Sequence, residues 1–95
     1  MLLDEPFGAL DEITRIQMQD WLISVWEKYR KTVLFVTHNI DEAIYLSDRV
    51  LVMSSRPGNI SGEIPIDFER PRSREMLLDQ KFLNFKRNIL ELLAQ

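Results

Sequence analysis

Two neighbouring acids, Asp4 and Glu5, follow a short apolar run at the start of the 95-residue chain. Two carboxylates at the end of a buried strand are costly unless water, a partner or a metal ion compensates their charge. One of them could hold Mg²⁺, usually through water, because this ion favours carboxylates and keeps much of its hydration. The other could polarise an attacking water as the general base of a phosphoryl transfer.

Two further residues could complete such a site. Asp11 follows Asp4 by seven residues, on the segment that leaves the first strand, where it could also cap the next helix. His38 directly follows a second apolar run, and its imidazole could hydrogen-bond a terminal phosphate or an attacking water. Each residue alone is most simply a solvated acid, an exposed histidine or a helix cap. Their order at the ends of successive strands favours one shared site.

The elements that must position these side chains alternate between strand and helix. Apolar runs typical of buried strands occupy 1–3, 33–36 and 49–53, and a short helix is predicted over 41–46. Apolar residues at helical spacing form two longer stripes. The first comprises Met18, Leu22, Val25 and Tyr29, flanked by Trp21 and Trp26, and the second comprises Phe82, Phe85, Ile89, Leu92 and Leu93. Strand–helix alternation predicts an α/β fold with a parallel sheet at its core and flanking helices.

The second half of the chain is predicted to add a β-hairpin and a helix. The turn signal Arg56-Pro57-Gly58-Asn59 separates the strand at 49–53 from an alternating segment at 60–66. A solvated connector with three arginines is expected over 67–74, and an amphipathic helix over 79–94.

Composition and charge exclude several classes of protein. Hydrophobic residues make up 45% and charged residues 28% of the chain, a globular mixture that excludes disordered and collagen-like chains. A net charge of −3 offers no basic surface for DNA or RNA, so we expect no nucleic-acid partner. The absence of cysteine excludes a disulfide scaffold and a cysteine-ligated metal site. The length fits one small domain over 1–95.

Two segments resemble the ATP-binding subunits of ABC transporters. Leu2-Leu3-Asp4-Glu5-Pro6-Phe7-Gly8-Ala9-Leu10-Asp11 is similar to the Walker B strand and D-loop of that family. Val36-Thr37-His38-Asn39, followed by Asp41-Glu42-Ala43, is similar to its switch segment, the H-loop. The resemblance implies a partial P-loop NTPase fold of the ABC-ATPase type, with a C-terminal β-hairpin and helix.

Other segments resemble the importer branch of the family. Pro6-Phe7-Gly8 is typical of importers, and the later part of the chain is similar to subunits that import nitrate, sulfonate, taurine or related small compounds. That likeness is carried by Arg56-Pro57-Gly58-Asn59-Ile60, by Ile64 to Phe68, and by Arg70-Pro71-Arg72. Together the matching segments cover nearly the whole chain.

The resemblance implies a role for each candidate residue. Asp4 would help to hold Mg²⁺ through water, and Glu5 would be the catalytic base for ATP hydrolysis. Asp11 would reach across a head-to-tail dimer formed with a second ATPase subunit, and His38 would contact the γ-phosphate of ATP. Closure of the dimer over ATP would drive a membrane permease, which would place the subunit at the cytoplasmic face of the inner membrane.

The chain departs from the family in the motifs that grip ATP. None of its glycines, Gly8, Gly58 and Gly62, precedes a lysine, so no G-x-x-x-x-G-K-[ST] phosphate loop is present, and the glutamine loop and signature motif are missing too. We therefore expect 1–95 to be a single partial domain, the C-terminal portion of a subunit, that binds neither ATP nor Mg²⁺ tightly and is inactive alone. Its uncovered apolar faces and strand edge predict self-association.

Two other classes of function compete with this interpretation. The hairpin at 49–66 and the helix at 79–94 could form a non-catalytic interaction or self-associating module, although an apolar stripe is more often packed against its own sheet. A P-loop ATPase of DNA repair or chromosome maintenance would share the Asp-Glu pair and the switch histidine. The motif Pro-Phe-Gly-Ala-Leu-Asp and the acidic net charge weigh against an ATPase of DNA repair or chromosome maintenance.

Overall fold

The computed structural model describes residues 1–53 and 58–94, which form two small sheets and three α-helices. The elements in chain order are β1 (Leu2–Asp4), α1 (Glu12–Tyr29), β2 (Leu34–Val36), α2 (Ile40–Leu46), β3 (Arg49–Met53), β4 (Ile60–Pro65), a 3₁₀ helix (Arg74–Leu78) and α3 (Gln80–Leu93). The predicted α/β class, with parallel strands and flanking helices, is confirmed. The predicted turn at 56–59 lies partly outside the described residues.

The first sheet consists of β1 and β2, which run parallel with α1 as their crossover. Leu2 pairs with Leu34 and Asp4 with Val36, and the Glu5 N–H extends the ladder by donating to the Val36 carbonyl oxygen at 2.7 Å. Parallel strands need such a crossover connection, and the helix that carries the first apolar stripe supplies it. The pairing places the carboxyl ends of β1 and β2 at one edge of the sheet.

Helix α1 begins at a capping aspartate, as the sequence predicts. Asp11 Oδ1 accepts a hydrogen bond from the Thr14 N–H at 2.8 Å, and Asp11 Oδ2 accepts one from the Thr14 hydroxyl at 3.0 Å. Within the apolar stripe, Leu22 is buried but Tyr29 is largely exposed. A two-stranded sheet is too narrow to cover the whole stripe, so the far end of the helix remains uncovered in the described structure.

The hydrophobic core lies on the second sheet, which corrects the expected core on the parallel sheet. Strands β3 and β4 form the predicted antiparallel hairpin, with Val50 opposite Ile64 and Val52 opposite Gly62. The buried cluster comprises Ile23, Ile44, Tyr45, Val52, Ile66, Met76, Phe82 and Ile89. The strands of the parallel pair have only three residues each, so each turns a single residue inward. The longer hairpin strands, with α2 and α3, enclose more apolar surface.

Helix α3 packs on the hairpin of its own chain. Phe82 and Ile89 are buried, and Phe85 and Leu92 pack against the same cluster. A Cβ atom added at Gly62 would lie 2.9 Å from Leu92 Cδ1, so the helix approaches β4 closely at this glycine. No helix within residues 1–53 and 58–94 has the length and apolar character needed to cross a membrane.

The connector at 67–74 is not simply solvated, because its central arginine is buried. The Arg72 guanidinium donates to five backbone carbonyl oxygens at 2.6–3.4 Å, those of Ile44, Tyr45, Ser47, Ile66 and Phe68. Ile44 and Tyr45 lie in the last turn of α2 and Ser47 is its C-cap, so these carbonyls lack intrahelical partners and attract cations. Burial, together with the nearby charge of Arg70, lowers the pKa of Arg72 to about 10, so it stays protonated at neutral pH.

We predict that Arg72→Lys destabilises the chain by about 1–3 kcal/mol, because an ammonium cannot reproduce the planar fork and leaves buried carbonyls unsatisfied. Urea unfolding followed by circular dichroism measures this change in the free energy of unfolding. The matched control, Arg87→Lys on the exposed side of α3, should change it by less than about 0.5 kcal/mol. Equal effects of the two substitutions would contradict the role assigned to Arg72.

Candidate active site

Glu5 leaves the sheet through a left-handed backbone conformation with φ of 46°. This conformation is unfavourable for residues other than glycine. It is held on both sides, since the Glu5 N–H continues the ladder with β2 and the Glu5 carbonyl accepts a bond from the Gly8 N–H at 3.2 Å. The resulting tight turn moves the Glu5 side chain off the strand and toward the segment that follows β2.

His38 lies in that segment, between the end of β2 and the start of α2. Its Nδ1 is in direct contact with Glu5 Oε1. The His38 side chain is 92% exposed and that of Glu5 is 41% exposed, so both can be reached from solvent. The parallel pairing of β1 and β2 therefore brings together two of the predicted site residues, which are 33 positions apart in sequence.

A cleft of about 400 Å³ opens around this contact. Its lining comprises Glu5, Gly8, Arg15, Thr37, His38, Asn39 and Glu42. Its volume falls within the range of about 300–1,000 Å³ that is usual for small-molecule pockets. Carboxylate, imidazole, hydroxyl and guanidinium groups converge here from the turn after β1, from α1 and from the switch segment.

Arg15 is a site residue that sequence reasoning missed. Its Nε donates to the Phe7 carbonyl at 3.2 Å and its Nη2 donates to the Gly8 carbonyl at 3.3 Å. These bonds hold the turn after Glu5 against the start of α1. The position of Arg15 in the sequence could have indicated this role. A cation in the first turns of a helix interacts unfavourably with the helix dipole, so a contact outside the helix is expected to compensate for it.

Thr37, Asn39 and Glu42 also line the cleft without having been predicted as site residues. Asn39 caps α2 by accepting a bond from the Glu42 N–H at 3.0 Å. Glu42 is buried, although an acid in the first turn of a helix is most simply interpreted as an exposed complement to the dipole. No local sequence pattern distinguishes a buried acid of this kind from an exposed one.

Asp11 stands apart from the Glu5–His38 contact and does not line the cleft. Both of its carboxylate oxygens are engaged by Thr14. The backbone N–H of Thr14, and then its hydroxyl, hold the pKa of the Asp11 carboxyl below its usual value. The capping role is therefore observed, and the role of Asp11 in a dimer of ATPase subunits stays a prediction.

Asp4 is the last residue of β1, and its side chain is exposed. Within residues 1–53 and 58–94, no basic side chain lies at salt-bridge distance from it. In the same part of the chain, no group of three or more acidic, histidine or cysteine residues is arranged to hold a metal ion. A single solvated carboxylate fits an ion that keeps most of its water, as Mg²⁺ does. The Mg²⁺ role of Asp4 stays a prediction.

Comparison with known proteins identifies relatives of this chain. No protein-family model matches the chain. An uncharacterized ABC transporter ATP-binding protein of Methanocaldococcus jannaschii is 50% identical over 93 residues, which cover 98% of this chain and 34% of that protein. An aliphatic sulfonates import ATP-binding protein of Pseudomonas syringae pv. tomato is 55% identical over 74 residues, or 78% of this chain and 32% of that protein.

A nitrate import ATP-binding protein of Synechococcus elongatus is 45% identical over 95 residues, which cover 98% of this chain and 35% of that protein. The chain thus spans about a third of the length of these relatives. The matched residues include nearly all of this chain, the Glu5–His38 site among them. The chain therefore belongs to the family of ABC-transporter ATP-binding proteins, of which it matches a part.

Proposed function

We propose that this chain supplies the water-activating and phosphate-contacting side of the ATPase site in an ABC importer subunit. The observation that carries the proposal is the contact between Glu5 Oε1 and His38 Nδ1, two residues that line the cleft. A carboxylate and an imidazole held together at the carboxyl ends of parallel strands are suited to phosphoryl transfer to water.

Glu5 acts as the general base in this proposal. Its carboxylate accepts a proton from water as the water oxygen bonds to the γ-phosphorus of ATP and the bond from that phosphorus to the bridging oxygen breaks. The products are ADP and inorganic phosphate, and the proton on Glu5 returns to solvent. Glu5 is 41% exposed, so water reaches the carboxylate directly.

His38 contacts the γ-phosphate. Because Nδ1 is directed at Glu5, the other ring nitrogen, Nε2, is the one that faces the phosphate. A protonated imidazole can then donate to Glu5 and to a phosphate oxygen at the same time. The contact also orients the Glu5 carboxylate toward the water, which is how a positioned base gains efficiency.

Asp4 would help to hold Mg²⁺ through water, and the ion, when bound, neutralises charge on the ATP phosphates. The solvated carboxylate of Asp4 suits this role better than direct coordination, since no further acidic or histidine ligands gather around it in the described residues. Asp11 would contact a second ATPase subunit across a head-to-tail dimer while its carboxylate continues to cap α1.

The whole protein would drive a membrane permease from the cytoplasmic face of the inner membrane. The names of two relatives support import of a small anion, since one is an aliphatic sulfonates import protein and the other a nitrate import protein. We infer a solute of that class, such as nitrate, a sulfonate or taurine. The phosphate loop and signature motif would come from chain outside these 95 residues, making 1–95 a partial domain.

We also infer that the isolated chain self-associates. Leu2, Leu34 and Val36 alternate with the inward-facing residues of β1 and β2, and all three are exposed on the outer face of that sheet. Met1 is also exposed, but it lies on the other side of the sheet, beside Leu22, Val25 and Trp26 of α1. Contiguous exposed apolar surface next to an open strand edge favours association between copies.

The first prediction from the proposed function concerns nucleotide binding by the isolated chain. Without a phosphate loop in its sequence, the chain should show no micromolar affinity for Mg²⁺-ATP by isothermal titration calorimetry. The matched segment of the Synechococcus elongatus relative, prepared in the same way, is the control and should behave alike. Micromolar affinity of this chain would contradict the proposed division of the site.

The second prediction concerns association. Light scattering should show species larger than a monomer, and Leu34→Glu should shift the distribution toward the monomer because it places a charge in the outer face of the β1–β2 sheet. Leu83→Glu is the matched control, since Leu83 is also partly exposed but lies on α3. A monodisperse monomer of the unsubstituted chain would exclude self-association.

The third prediction tests catalysis in a complete protein. These 95 residues replace the matched segment of the nitrate import ATP-binding protein, and the chimera should bind and hydrolyse ATP. Glu5→Gln should lower kcat by roughly 100-fold or more while ATP binding persists, because the base is lost but the phosphate loop remains. Glu91→Gln, an exposed acid on α3, is the control and should leave kcat unchanged. A chimera that binds ATP and whose turnover is insensitive to Glu5→Gln would overturn the proposal.

A further inference from the structure

Glu42 is a buried carboxylate in the first turn of α2, four residues after His38. It is 5% exposed, and within residues 1–53 and 58–94 no basic side chain lies at salt-bridge distance from it. A buried carboxylate without a cation is costly unless hydrogen bonds replace its hydration. Its hydrogen bonds therefore indicate why the chain retains an acid at this position.

Each oxygen of Glu42 accepts one short hydrogen bond. The Gln19 amide Nε2 donates to Glu42 Oε1 at 2.7 Å, and the Thr37 hydroxyl donates to Glu42 Oε2 at 2.6 Å. The Thr37 hydroxyl oxygen in turn accepts from the Asn39 N–H at 3.0 Å. Hydrogen bonds to an ionised group are shorter and stronger than neutral ones, which suits these distances.

This arrangement differs from the usual capping box. There, the glutamate three residues after the N-cap accepts a bond from the backbone N–H of the N-cap residue itself. Here the N-cap is Asn39, and its N–H is bonded to the Thr37 hydroxyl instead. The Thr37 hydroxyl thus stands between the Asn39 N–H and the Glu42 carboxylate. Glu42 therefore holds Thr37 directly and Asn39 through that hydroxyl, which are the residues on either side of His38.

We propose that Glu42 is a positioning residue for His38, and this inference rests on the proposed function. Thr37 and Asn39, the two neighbours of His38, are both tied to Glu42, directly or through one hydroxyl. The imidazole itself is almost fully exposed and has no packing of its own to hold it. Its position therefore depends on the contact with Glu5 and on its own backbone, and Glu42 holds that backbone on both sides of His38.

The same network reaches the C-terminal part of the chain through Gln19. Gln19 Oε1 accepts from Arg74 Nη2 at 2.9 Å, while Gln19 Nε2 donates to Glu42. The carboxamide can face only one way, since a donor must meet the carboxylate and an acceptor must meet the guanidinium. Arg74 also donates to the Ile16 carbonyl at 2.9 Å and to Asp20 at 3.1 Å, which anchors it on α1.

The kinetic test uses the ATPase chimera described above. Glu42→Ala should lower kcat by roughly 10- to 100-fold and change KM for ATP by less than about threefold, as expected when a reacting group is displaced but substrate binding is kept. Thr37→Val, which removes only the linking hydroxyl, should have the same effect. Glu42→Gln should retain much of the activity, because its amide can still accept from Gln19 and donate to Thr37.

A double variant separates positioning from a general loss of stability. If Glu42 acts through His38, Glu42→Ala should cause no further loss of kcat once His38→Ala is present. Additive losses in that pair would overturn the inference. If His38→Ala and Glu5→Gln leave kcat unchanged, the proposed function itself fails. If they lower kcat while Glu42→Ala and Thr37→Val do not, only the positioning role fails.

A measurement on the chain itself is independent of activity. His38 is its one histidine, so imidazole resonances in NMR spectra report on that residue alone. Glu42→Ala and Thr37→Val should shift or broaden these resonances, whereas Glu91→Ala on α3 should leave them unchanged. Unchanged His38 resonances in folded Glu42→Ala and Thr37→Val would overturn the inference. Should Glu42→Ala fail to fold, Thr37→Val decides the outcome.

Discussion

The parallel pairing of β1 with β2 is the constraint on which the candidate site depends. The pair is short, yet its register places Asp4 opposite Val36, and one further bond from the Glu5 N–H carries the ladder past the end of β1. The turn after Glu5 and the segment around His38 therefore leave the sheet at the same edge. Any slip in this register would separate the carboxylate from the imidazole, whatever their spacing in sequence.

The hydrophobic core and the candidate site lie in different parts of the chain. The buried cluster lies between the β3–β4 hairpin, α2 and α3, while Glu5 and His38 sit on the thin parallel sheet. The shared element is α2. Its end is held by Arg72, and its beginning by Asn39 and Glu42. The segment around His38 is therefore tied to the rest of the chain through α2 and, by way of Glu42 and Gln19, through α1.

The buried charged residues Arg72 and Glu42 hold the two ends of α2, and each replaces its lost hydration with a different set of hydrogen bonds. Arg72 uses the fork of its guanidinium to satisfy carbonyls at the end of a helix and beside a strand. Glu42 uses neutral donors from α1 and from the residue before His38. Within the described residues Glu42 has no ion pair and Arg72 has one, to the exposed Asp48 at 4.0 Å, so hydrogen bonds do most to compensate their burial.

The sequence by itself determined the order of the strands and α-helices, the hairpin and the cap at Asp11, because apolar spacing and capping are local properties of the chain. It also determined the family, since the segments around Asp4 and His38 are recognisable without coordinates. Only the tertiary structure decided that the core covers the hairpin rather than the parallel sheet, because this depends on how many residues each strand can turn inward. Only the tertiary structure decided that Arg72 and Glu42 are buried, and that Arg15 holds the turn after Glu5. Burial of a charge depends on hydrogen-bonding groups that arrive from distant parts of the chain, and no local pattern records them.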